Sequence, residues 1–337
     1  MTMTEKTKSC LVIGAGMAGL VAARTLQEHG VRVTVMDKGR GVGGRMATRR
    51  IGAAVFDHGA QFFTARDPRF RALVGDWLKA DAAREWCTGF VGPEGFLHSD
   101  KHPRYLGAKG MTAIPKFLAQ GLDIQLGRRI TFAEARGDQW TVWTEHGTTF
   151  TADALLLTAP VPQSLAILDA GATAIPSQSR AALEMVRYDP CIALMVQPTA
   201  SRLPAPGGLQ LAGEPIAWIG DNRRKGISTA PAVTIHAGGE FSRTHWDCED
   251  VEIASALISA ASPWLSGPAA DVQVHRWRYA KPTTLYPGEC LAVSEPLPLV
   301  FAGDAFGAPR VEGAVLSGMA AAQAVLESLN VQSCGIR

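Results

Sequence analysis

The N-terminal part of the chain alternates between apolar runs and an amphipathic stretch. Residues 10–13 are apolar throughout, which predicts a short buried strand. Residues 17–28 carry apolar side chains at helical spacing, and residues 31–36 return to a strand pattern that ends at Asp37. The order strand, helix, strand predicts the first βαβ unit of a parallel sheet.

The rest of the chain mixes hairpin-rich sequence with further buried strands. Residues 123–150 alternate between apolar and polar positions, and R-G-D-Q at residues 136–139 predicts a hairpin turn. Near the C-terminus the pattern predicts a strand at residues 299–302 and a helix at 313–329. This mixture indicates an α/β chain whose second layer contains an antiparallel sheet. The other predicted elements are strands at residues 154–158, 191–196, 217–221, 232–236 and 272–279, and a helix at 250–261.

Length, charge and cysteine usage narrow the classes of function. The 337 residues suffice for roughly two domains of about 150 residues each. With 33 Lys and Arg against 31 Asp and Glu, the net charge of +2 gives no basic footprint for nucleic acid. The six cysteines are scattered without metal-ligand spacing, so we expect free thiols in a reducing compartment and no metal site.

The N-terminus has the outline of a signal peptide, because Lys6 and Lys8 precede an apolar run. Three glycines interrupt that run, Glu5 lies among the lysines, and the amphipathic pattern continues through residue 28, which favours a βαβ start instead. No segment approaches the ~20 uninterrupted apolar residues of a membrane span. We therefore expect a soluble, cytoplasmic protein without a membrane partner.

Gly14, Gly16 and Gly19 form a G-x-G-x-x-G sequence between the first predicted strand and helix. Such glycines permit a tight turn, close approach of the backbone to a pyrophosphate, and close packing of helix on strand. Asp37 stands at the end of the second strand, where a carboxylate accepts hydrogen bonds from a ribose. A glycine turn without a ligand is the alternative, but the strand, helix and carboxylate in register favour a dinucleotide site.

The sequence KGRGVGGRMATRR after Asp37 contains Gly43, Gly44, Arg45 and Thr48 as G-G-R-x-x-T. Adjacent glycines let the chain pass flat against a ligand, and Arg45 can offer a forked cation to a diphosphate. Taken alone, this segment fits a solvated basic loop equally well.

A similar arrangement lies near the C-terminus, where Gly303 and Asp304 follow the last predicted strand. A helix then begins near Gly313 and Ala314, so that its N-terminal dipole is available to an electron-rich group. A helix start without a ligand would explain one of these features but not their order.

Together these motifs carry a family resemblance. G-x-G-x-x-G with Asp37, G-G-R-x-x-T, A-D-x-L-L-L-T-A-P at residues 152–160 and A-G-D at 302–304 resemble the FAD-dependent amine-oxidase superfamily. The runs FDHGAQFFTARDPRF at residues 56–70 and HRWRYA at 275–280 are similar to those of bacterial renalase-type proteins. The resemblance covers essentially the whole chain.

The resemblance implies a fold like that of p-hydroxybenzoate hydroxylase, with a Rossmann-like FAD-binding domain and an α+β substrate-binding domain that has a mixed or antiparallel sheet. The FAD-binding domain would comprise residues 1–75, 107–165 and 280–337, and the substrate-binding domain residues 76–106 and 166–279. The residues implied to bind FAD are Gly14, Gly16, Met17, Ala18, Asp37, Lys38, Gly44, Arg45, Met46, His58, Gly59, Ala60, Ile130, Gly303, Asp304, Gly313 and Ala314.

Two features differ from many members of the superfamily. Some amine oxidases attach FAD through a cysteine near the last FAD motif, but Cys290 and Cys334 do not match that position, so we expect non-covalent FAD. Many also use a lysine that reaches flavin N5 through water. Lys225 and Lys281 are the only lysines in the second half of the chain, and neither lies in a matching motif, which counts against amine chemistry.

The resemblance implies an oxidase that takes a hydride from isomeric 2- or 6-dihydro-NAD(P) to flavin N5, with O₂ regenerating the flavin to give NAD(P)⁺ and H₂O₂. Hydride transfer needs little acid–base machinery, because the flavin accepts the electrons and the site has only to position the donor. We therefore expect flat or polar side chains at the active site, namely Gln61, Phe62, Trp277 and Tyr279. A core role fits Trp277 and Tyr279 equally well.

Two other functions are compatible with the sequence. One is a flavin amine oxidase or desaturase that acts on an amine or another small CH–NH donor. The other is a non-catalytic flavin- or NAD-binding regulator, whose flavin no donor would reduce.

Overall fold

The computed structural model describes residues 7–92, 96–211 and 213–331. Glu5, Lys6 and Cys334 lie outside them. The described helices are α1 (Met17–Glu28), α2 (Pro68–Lys79), α3 (Ala113–Leu118), α4 (Val161–Ala170), α5 (Ser177–Glu184), α6 (Gly239–Thr244), α7 (Asp250–Ala260) and α8 (Arg310–Ser328), with a 3₁₀ helix at Gly44–Met46.

Strands make up the rest of the regular structure. In chain order they are β1 (Ser9–Ile13), β2 (Arg32–Asp37), β3 (Thr48–Ile51), β4 (Ala54–Asp57), β5 (Ala83–Val91), β6 (Leu97–Gly107), β7 (Asp123–Leu126), β8 (Ile130–Arg136), β9 (Gln139–Thr144), β10 (Thr149–Ala152), β11 (Ala154–Leu157), β12 (Arg187–Ser201), β13 (Gly208–Gln210), β14 (Ile216–Asp221), β15 (Val233–Ala237), β16 (Leu265–Thr284), β17 (Leu291–Val293) and β18 (Leu299–Phe301).

The chain divides into two compact units. Unit 1 comprises Met1–Gly44, Pro115–Arg187 and Pro282–Arg337, and unit 2 comprises Arg45–Ile114 and Tyr188–Lys281.

Unit 1 is built on a six-stranded sheet in the order β17-β18-β11-β1-β2-β7. Strands β18, β11, β1, β2 and β7 pair in parallel, and β17 adds an antiparallel edge. Strand β1 is buried at every position, as a central parallel strand covered on both faces must be. Helix α1 ends where Gly30 adopts φ +79°, a left-handed conformation that glycine enters without strain. The hairpin of β8, β9 and β10 forms a second, three-stranded sheet.

Unit 2 contains a five-stranded sheet in the order β13-β14-β15-β12-β16 and the antiparallel pairs β3-β4 and β5-β6. One face of the larger sheet packs into a hydrophobic core. Along β15, Val233 and Ile235 enter this core, whereas Thr234 and His236 point to the other face. The opposite face of this sheet is therefore free to carry polar side chains.

The predicted fold class is confirmed, with a Rossmann-like parallel sheet and a second unit that contains an antiparallel sheet. Helix α1 coincides with the predicted residues 17–28. Strand β16 begins at residue 265, seven residues before the predicted start at 272. The pattern did not predict residues 265–271 because they begin with Leu-Ser-Gly-Pro, which has no strand alternation.

The predicted domain limits and the two units are both discontinuous, but they differ in places. Residues 45–75 and 107–114 belong to unit 2, although the resemblance assigns them to the FAD-binding domain. Residues 166–187 belong to unit 1 and were assigned to the substrate-binding domain. Compactness does not determine which residues bind a ligand, so the domain limits stay a prediction.

Candidate functional site

The carboxyl ends of parallel strands meet at one edge of the unit 1 sheet. Gly14 follows β1, Asp37 ends β2, Thr158 follows β11, and Gly303 lies two residues past β18. Ligands of open parallel sheets bind outside this edge, where the strand order reverses. The topology therefore collects the predicted cofactor residues of the N- and C-terminal motifs at the expected edge.

The three glycines of the G-x-G-x-x-G loop have different surroundings. Gly14 has φ +117°, and a Cβ there would lie 2.5 Å from Thr158 Oγ1. A Cβ at Gly19 would overlap the Gly14 carbonyl oxygen, so α1 packs directly on the turn. A Cβ at Gly16 would meet no described atom within 4 Å. Gly16 therefore borders the open space that a pyrophosphate needs.

The start of α1 offers hydrogen-bond donors beside Gly16. Gly16 is the N-cap of α1, and none of the side chains that the structure describes caps the helix there. Gly44 packs against this position, since its Cβ would lie 3.7 Å from Gly16 Cα, and Gly43 N–H donates to Ala15 O at 2.8 Å. Two glycines thus flank the uncapped N–H groups at the start of α1, an arrangement that suits an anionic diphosphate.

Asp37 already accepts two backbone hydrogen bonds, one of them from the G-x-G-x-x-G loop. Its Oδ2 accepts from Ala15 N–H at 2.7 Å, and its Oδ1 accepts from Gly39 N–H at 2.6 Å. An ionised carboxylate has about four acceptor positions, so capacity remains for ribose hydroxyls. Asp37 therefore joins β2 to the loop and still fits the predicted role.

The C-terminal motif is shaped by close backbone packing. Gly303 has φ +139°, and its N–H donates to Ser317 Oγ at 2.8 Å. A Cβ at Gly313 would overlap the Ala308 carbonyl oxygen, which explains a glycine in the first turn of α8. Half-exposed Asp304 and Ala314 lie beside these glycines. Pro309 is the N-cap of α8, and no described side chain caps that helix.

The other predicted cofactor residues of unit 1 differ in exposure. Met17 and Ala18 are buried in the first turn of α1, and Ile130 is buried at the start of β8. Lys38 is exposed and donates to Gln163 Oε1 at 3.1 Å. The open space at Gly16, the uncapped α1 and the remaining capacity of Asp37 fit a dinucleotide cofactor such as FAD.

Unit 2 contains a buried ion pair that no sequence motif indicates. Lys225 Nζ lies 3.2 Å from Asp57 Oδ2, and both side chains are fully buried. Asp57 Oδ1 accepts from the Thr48 hydroxyl at 2.6 Å and from Met111 N–H at 2.8 Å. Burial lowers the pKa of Lys225, and the Asp57 carboxylate opposes that shift. Both carboxylate oxygens have donors, as a buried pair requires.

The same lysine orients Gln61. Lys225 Nζ donates to Gln61 Oε1 at 3.3 Å, while Gln61 Nε2 donates to the carbonyls of Asp57 at 2.6 Å and Gly59 at 3.1 Å. Gln61 is buried, and both ends of its amide are bonded within the protein. Its side chain therefore holds the turn of residues 57–61 in shape.

His58 lies at the centre of an aromatic cluster. Its ring stacks on Trp277 at a centroid distance of 5.2 Å and meets His275 edge-on at 4.8 Å. Its carbonyl accepts from Trp277 Nε1 at 2.9 Å and from His236 Nε2 at 3.1 Å. Because a carbonyl can only accept, Nε2 of His236 carries the hydrogen.

The three histidines of this cluster are neutral at physiological pH. Burial, aided by His275, Arg49 and His236, lowers the pKa of His58 to about 3. Burial likewise lowers the pKa of His236 to about 4 and that of His275 to about 4. The cluster therefore presents imidazoles rather than imidazolium ions.

Arg45 and Tyr279 are joined through the backbone. Arg45 donates from Nη1 to Tyr279 O at 3.0 Å, and its own carbonyl accepts from Ala60 N–H at 2.8 Å. A Cβ at Gly59 would overlap that Arg45 carbonyl. The Tyr279 ring meets Tyr188 edge-on at 5.4 Å. Three predicted cofactor residues and one predicted catalytic residue thus adjoin one another in unit 2.

Phe62 lies in a different aromatic group. Its ring centroid is 6.1 Å from Trp86, 5.1 Å from Phe90 and 5.5 Å from Trp218. Trp218 Nε1 is buried without a partner among the described residues. Met46, a predicted cofactor residue, is buried elsewhere in unit 2. The structure therefore joins Gln61, His58 and Trp277 in one network and places Phe62 and Tyr279 in separate contacts.

The sequence patterns missed most of the polar network in unit 2. Asn222 Oδ1 accepts from Asp57 N–H at 3.3 Å, and the Thr234 hydroxyl donates to Asp57 O at 2.9 Å. Asp57 belongs to the FDHGAQFF run that carries the resemblance, which was the one available signal. Lys225 ends the polar run D-N-R-R-K, which is typical of an exposed turn.

Other chemistries find little support in the described residues. They contain no group of three or more His, Cys, Asp and Glu side chains that could hold a metal ion. Their five cysteines are free. Of the described helices, none is both long and apolar enough to cross a membrane.

Comparison with known proteins gives family matches for most of the chain. A model of the NAD(P)-binding Rossmann-like domain matches residues 12–77, and a model of the flavin containing amine oxidoreductases matches residues 84–326. Renalase of Mus musculus is 24% identical over 331 residues, which cover 92% of this chain and 96% of that protein.

Two further relatives show how far the likeness extends. Putrescine oxidase of Kocuria rosea is 33% identical over 99 residues, 28% of this chain and 20% of that protein. A solved structure from Exiguobacterium sp. 255-15, described as a protoporphyrinogen oxidase, has a TM-score of 0.70 at 13% identity, over 97% of this chain and all of that one. The structural match shows a shared fold.

The glycine loop gives a prediction that separates ligand binding from folding. Gly16→Ala adds a methyl group to open space at an ordinary φ, so stability should fall by at most about 1 kcal/mol, from the poorer N-cap, while FAD binding weakens by roughly tenfold or more, about 1–3 kcal/mol. Gly19→Ala should instead lower the free energy of unfolding by about 1–3 kcal/mol, because the methyl group overlaps Gly14. Denaturant unfolding and flavin titration measure the two effects; equal FAD affinity in Gly16→Ala would contradict the assignment.

The buried ion pair gives a second prediction. Lys225→Met leaves Asp57 buried without its counter-charge and should cost about 3–5 kcal/mol of stability. Lys281→Met is the matched control, because Lys281 is exposed and should change little. Adding Asp57→Asn to Lys225→Met should cost less than the sum of the single changes. Additive costs in urea unfolding would show that the two charges are not coupled.

The neutral histidines give a third prediction, on pH. Histidine in the unfolded chain titrates near 6.5, whereas His236 stays neutral in the fold down to about 4. Between these values the unfolded chain binds more protons, so stability is complete above pH 6.5 and falls as the pH drops towards 4. His236→Gln should remove about 1–2 kcal/mol of the loss between pH 7 and 5. The exposed His146→Gln serves as control, and an unchanged slope in His236→Gln would refute the assignment.

Proposed function

Because the chain belongs to the flavin containing amine oxidoreductase family, we propose that this flavin-dependent oxidoreductase is an oxidase of isomeric dihydro-NAD(P). Bound FAD would accept a hydride at N5 from the 2- or 6-dihydro form, and O₂ would take up the two electrons to give NAD(P)⁺ and H₂O₂. Net, one dihydropyridine, one O₂ and one proton yield one NAD(P)⁺ and one H₂O₂, which amounts to repair of a misreduced cofactor.

The low basicity of the three histidines in unit 2 supports this proposal. His58, His236 and His275 have pKa values lowered to about 3 to 4, far from the near-neutral value of an effective general base. Lys225 is engaged with Asp57 and Gln61. An alkylammonium substrate must lose a proton before it can give up a hydride, whereas a dihydropyridine is neutral and already carries a transferable hydride. A cluster whose histidines are such weak bases suits the dihydropyridine.

We propose specific roles for the residues named from the resemblance. The glycine loop and Gly44 would receive the diphosphate, Asp37 and Lys38 the adenosine end, and Gly303, Asp304, Gly313 and Ala314 the flavin end. Met17, Ala18, Arg45, Met46, His58, Gly59, Ala60 and Ile130 would complete the FAD site, and the domain limits given from the resemblance would apply. These roles are supported by the uncapped start of α1 and the remaining acceptor capacity of Asp37.

Four residues would act on the substrate side. Trp277 offers a ring whose Nε1–H is held by the His58 carbonyl, so its plane is fixed, and Tyr279 lies two residues further along the same strand. Gln61 would act by holding the turn of residues 57–61, since its amide is already bonded. Phe62 would close the site with apolar surface and exclude water.

We also propose that FAD is held without a covalent bond. Burial, with Glu289 and Glu327, raises the pKa of Cys290, so its thiol is poorly suited to form a flavin thioether. Cys10 and Cys191 have pKa values of about 12 through burial, and both are inert by the same argument.

Oxidation of an amine is the second candidate. The similarity to putrescine oxidase over 99 residues favours it. That segment covers only 20% of the relative, whereas the similarity to renalase extends over 96% of that protein. We therefore place the dihydropyridine first.

Anaerobic reduction of the bound flavin decides between the two. The purified holoenzyme should lose its flavin absorbance with 2- or 6-dihydro-NAD(P), and aeration should restore it with one H₂O₂ formed per NAD(P)⁺. Putrescine and other primary amines should leave the spectrum unchanged. Bleaching by amines alone would replace the first proposal by the second.

A further inference from the structure

Strand β16 in unit 2 presents a row of polar and aromatic side chains. Gln273, His275, Trp277 and Tyr279 alternate along it and therefore share one face. The basic side chains of the other face have partners of their own: Arg276 donates to Asp250 Oδ1 at 2.6 Å, and Arg278 lies 5.1 Å over the Trp246 ring. The odd-numbered face therefore carries the strand's polar and aromatic row, in which His275 and Trp277 contact His58.

Arg49 adds a positive charge to this face. It lies on β3, is half-buried, and donates from Nη1 to Gln273 Oε1 at 3.3 Å. No carboxylate among the described residues lies within ion-pair distance of it. Its charge reaches His58 and His275, whose pKa values it helps to lower. A guanidinium that is half removed from water without a counter-ion is ready for an anion.

A second observation is a buried nitrogen without a hydrogen-bond partner in the same cluster. His58 is only 4% exposed, and its Nδ1 is buried without a hydrogen-bond partner in the described structure. Buried polar atoms of this kind are rare in native proteins and mark a missing partner or a functional role. The ring that carries this atom touches both His275 and Trp277.

Resting on the proposed function, we propose that Arg49 binds a phosphate of the dinucleotide substrate. The guanidinium pairs with phosphate oxygens in a bidentate manner. His275 lies within reach of the Arg49 charge, and Trp277 packs against His275 at a ring-centroid distance of 4.3 Å, so the two rings offer flat surfaces on which a heteroaromatic ring of the same substrate can stack. Arg49 therefore determines specificity for phosphorylated dihydropyridines and takes no part in hydride transfer.

Substrates that differ in phosphate content test this assignment in the holoenzyme. The variant is Arg49→Gln, and the matched control is Arg50→Gln, which alters the next residue of β3, exposed and on the opposite face. Arg49→Gln should raise KM for dihydro-NAD and dihydro-NADP isomers about 10- to 100-fold, as expected for a lost charge-assisted contact. It should leave kcat and the KM for the dihydronicotinamide riboside isomer, which lacks phosphate, unchanged.

The outcomes are distinct. If Arg49→Gln raises KM equally for both dinucleotides, Arg49 binds the diphosphate. If it raises KM for dihydro-NADP alone, Arg49 binds the 2′-phosphate. Both results support the proposal. Equal loss with the riboside, or the same loss in Arg50→Gln, overturns it. Thermal unfolding of both variants should match that of the unaltered protein, because neither arginine has an ion pair in the described structure.

A binding measurement separates this inference from the proposed reaction. NAD⁺, NADP⁺ and nicotinamide riboside are titrated into the holoenzyme, and quenching of tryptophan fluorescence gives each Kd. Arg49→Gln should weaken NAD⁺ or NADP⁺ and spare the riboside, and the effect should shrink at high salt. If no dihydropyridine reduces the flavin but this pattern appears, the proposed reaction fails and the phosphate site stands. Unchanged Kd values for both dinucleotides refute the site whatever the reaction.

Discussion

The buried pair of Lys225 and Asp57 is the interaction on which the polar part of unit 2 depends. A charge without a partner in the protein interior costs several kcal/mol, so each of these side chains requires the other. The requirement joins the end of β4 to the turn after β14 across 168 residues of chain. Because Lys225 also donates to Gln61, the same charge sets the direction of the amide that holds residues 57–61.

The surroundings of that pair follow from the same constraint. Half-buried His236 donates Nε2–H to the His58 carbonyl, and burial, with a smaller effect of the Lys225 charge, lowers its pKa to about 4. That carbonyl also receives the Trp277 indole, so the aromatic ring and the ion pair are connected through two backbone groups. The result is a cluster with polar order whose three histidines have pKa values lowered to about 3 to 4.

Unit 1 obeys a constraint of another kind, because its candidate site is made of backbone. Helix α1 was predictable to the residue, since the glycines that open it and Gly30, at φ +79°, that closes it are local signals. The spacing also predicts roles for Gly16 and Gly19; a Cβ at Gly16 would meet no described atom within 4 Å, and one at Gly19 would overlap the Gly14 carbonyl oxygen. Short-range patterns encode such features because their causes lie within a few residues.

Long-range features could not be predicted from the sequence patterns, because their causes lie far apart along the chain. Lys225 lies in a polar run that is typical of an exposed turn, and only the folded sheet turns it inwards to Asp57. The sequence predicts Gln61 as a polar side chain at the active site, yet its amide donates to the carbonyls of Asp57 and Gly59, a state that periodicity cannot reveal. The predicted strand at 272–279 is shorter than β16. Exposed residues such as Asp271 interrupt the alternation on which the prediction rests, but they do not end the strand.

The division between these two kinds of site bears on what could vary among similar chains. A site made of backbone tolerates substitution at its other positions but few replacements of its glycines. The added Cβ would overlap a backbone carbonyl oxygen, which cannot move aside as a flexible side chain can. The unit 2 cluster is instead sensitive to changes of charge. Loss of one charge of the ion pair leaves the other charge buried without a partner, although it causes no clash with the backbone. Arg49 belongs to neither class: it is half-buried, its one side-chain hydrogen bond among the described residues goes to the exposed Gln273, and the constraints that hold Lys225 do not apply to it. A residue kept by neither packing nor pairing is the kind whose presence a ligand explains.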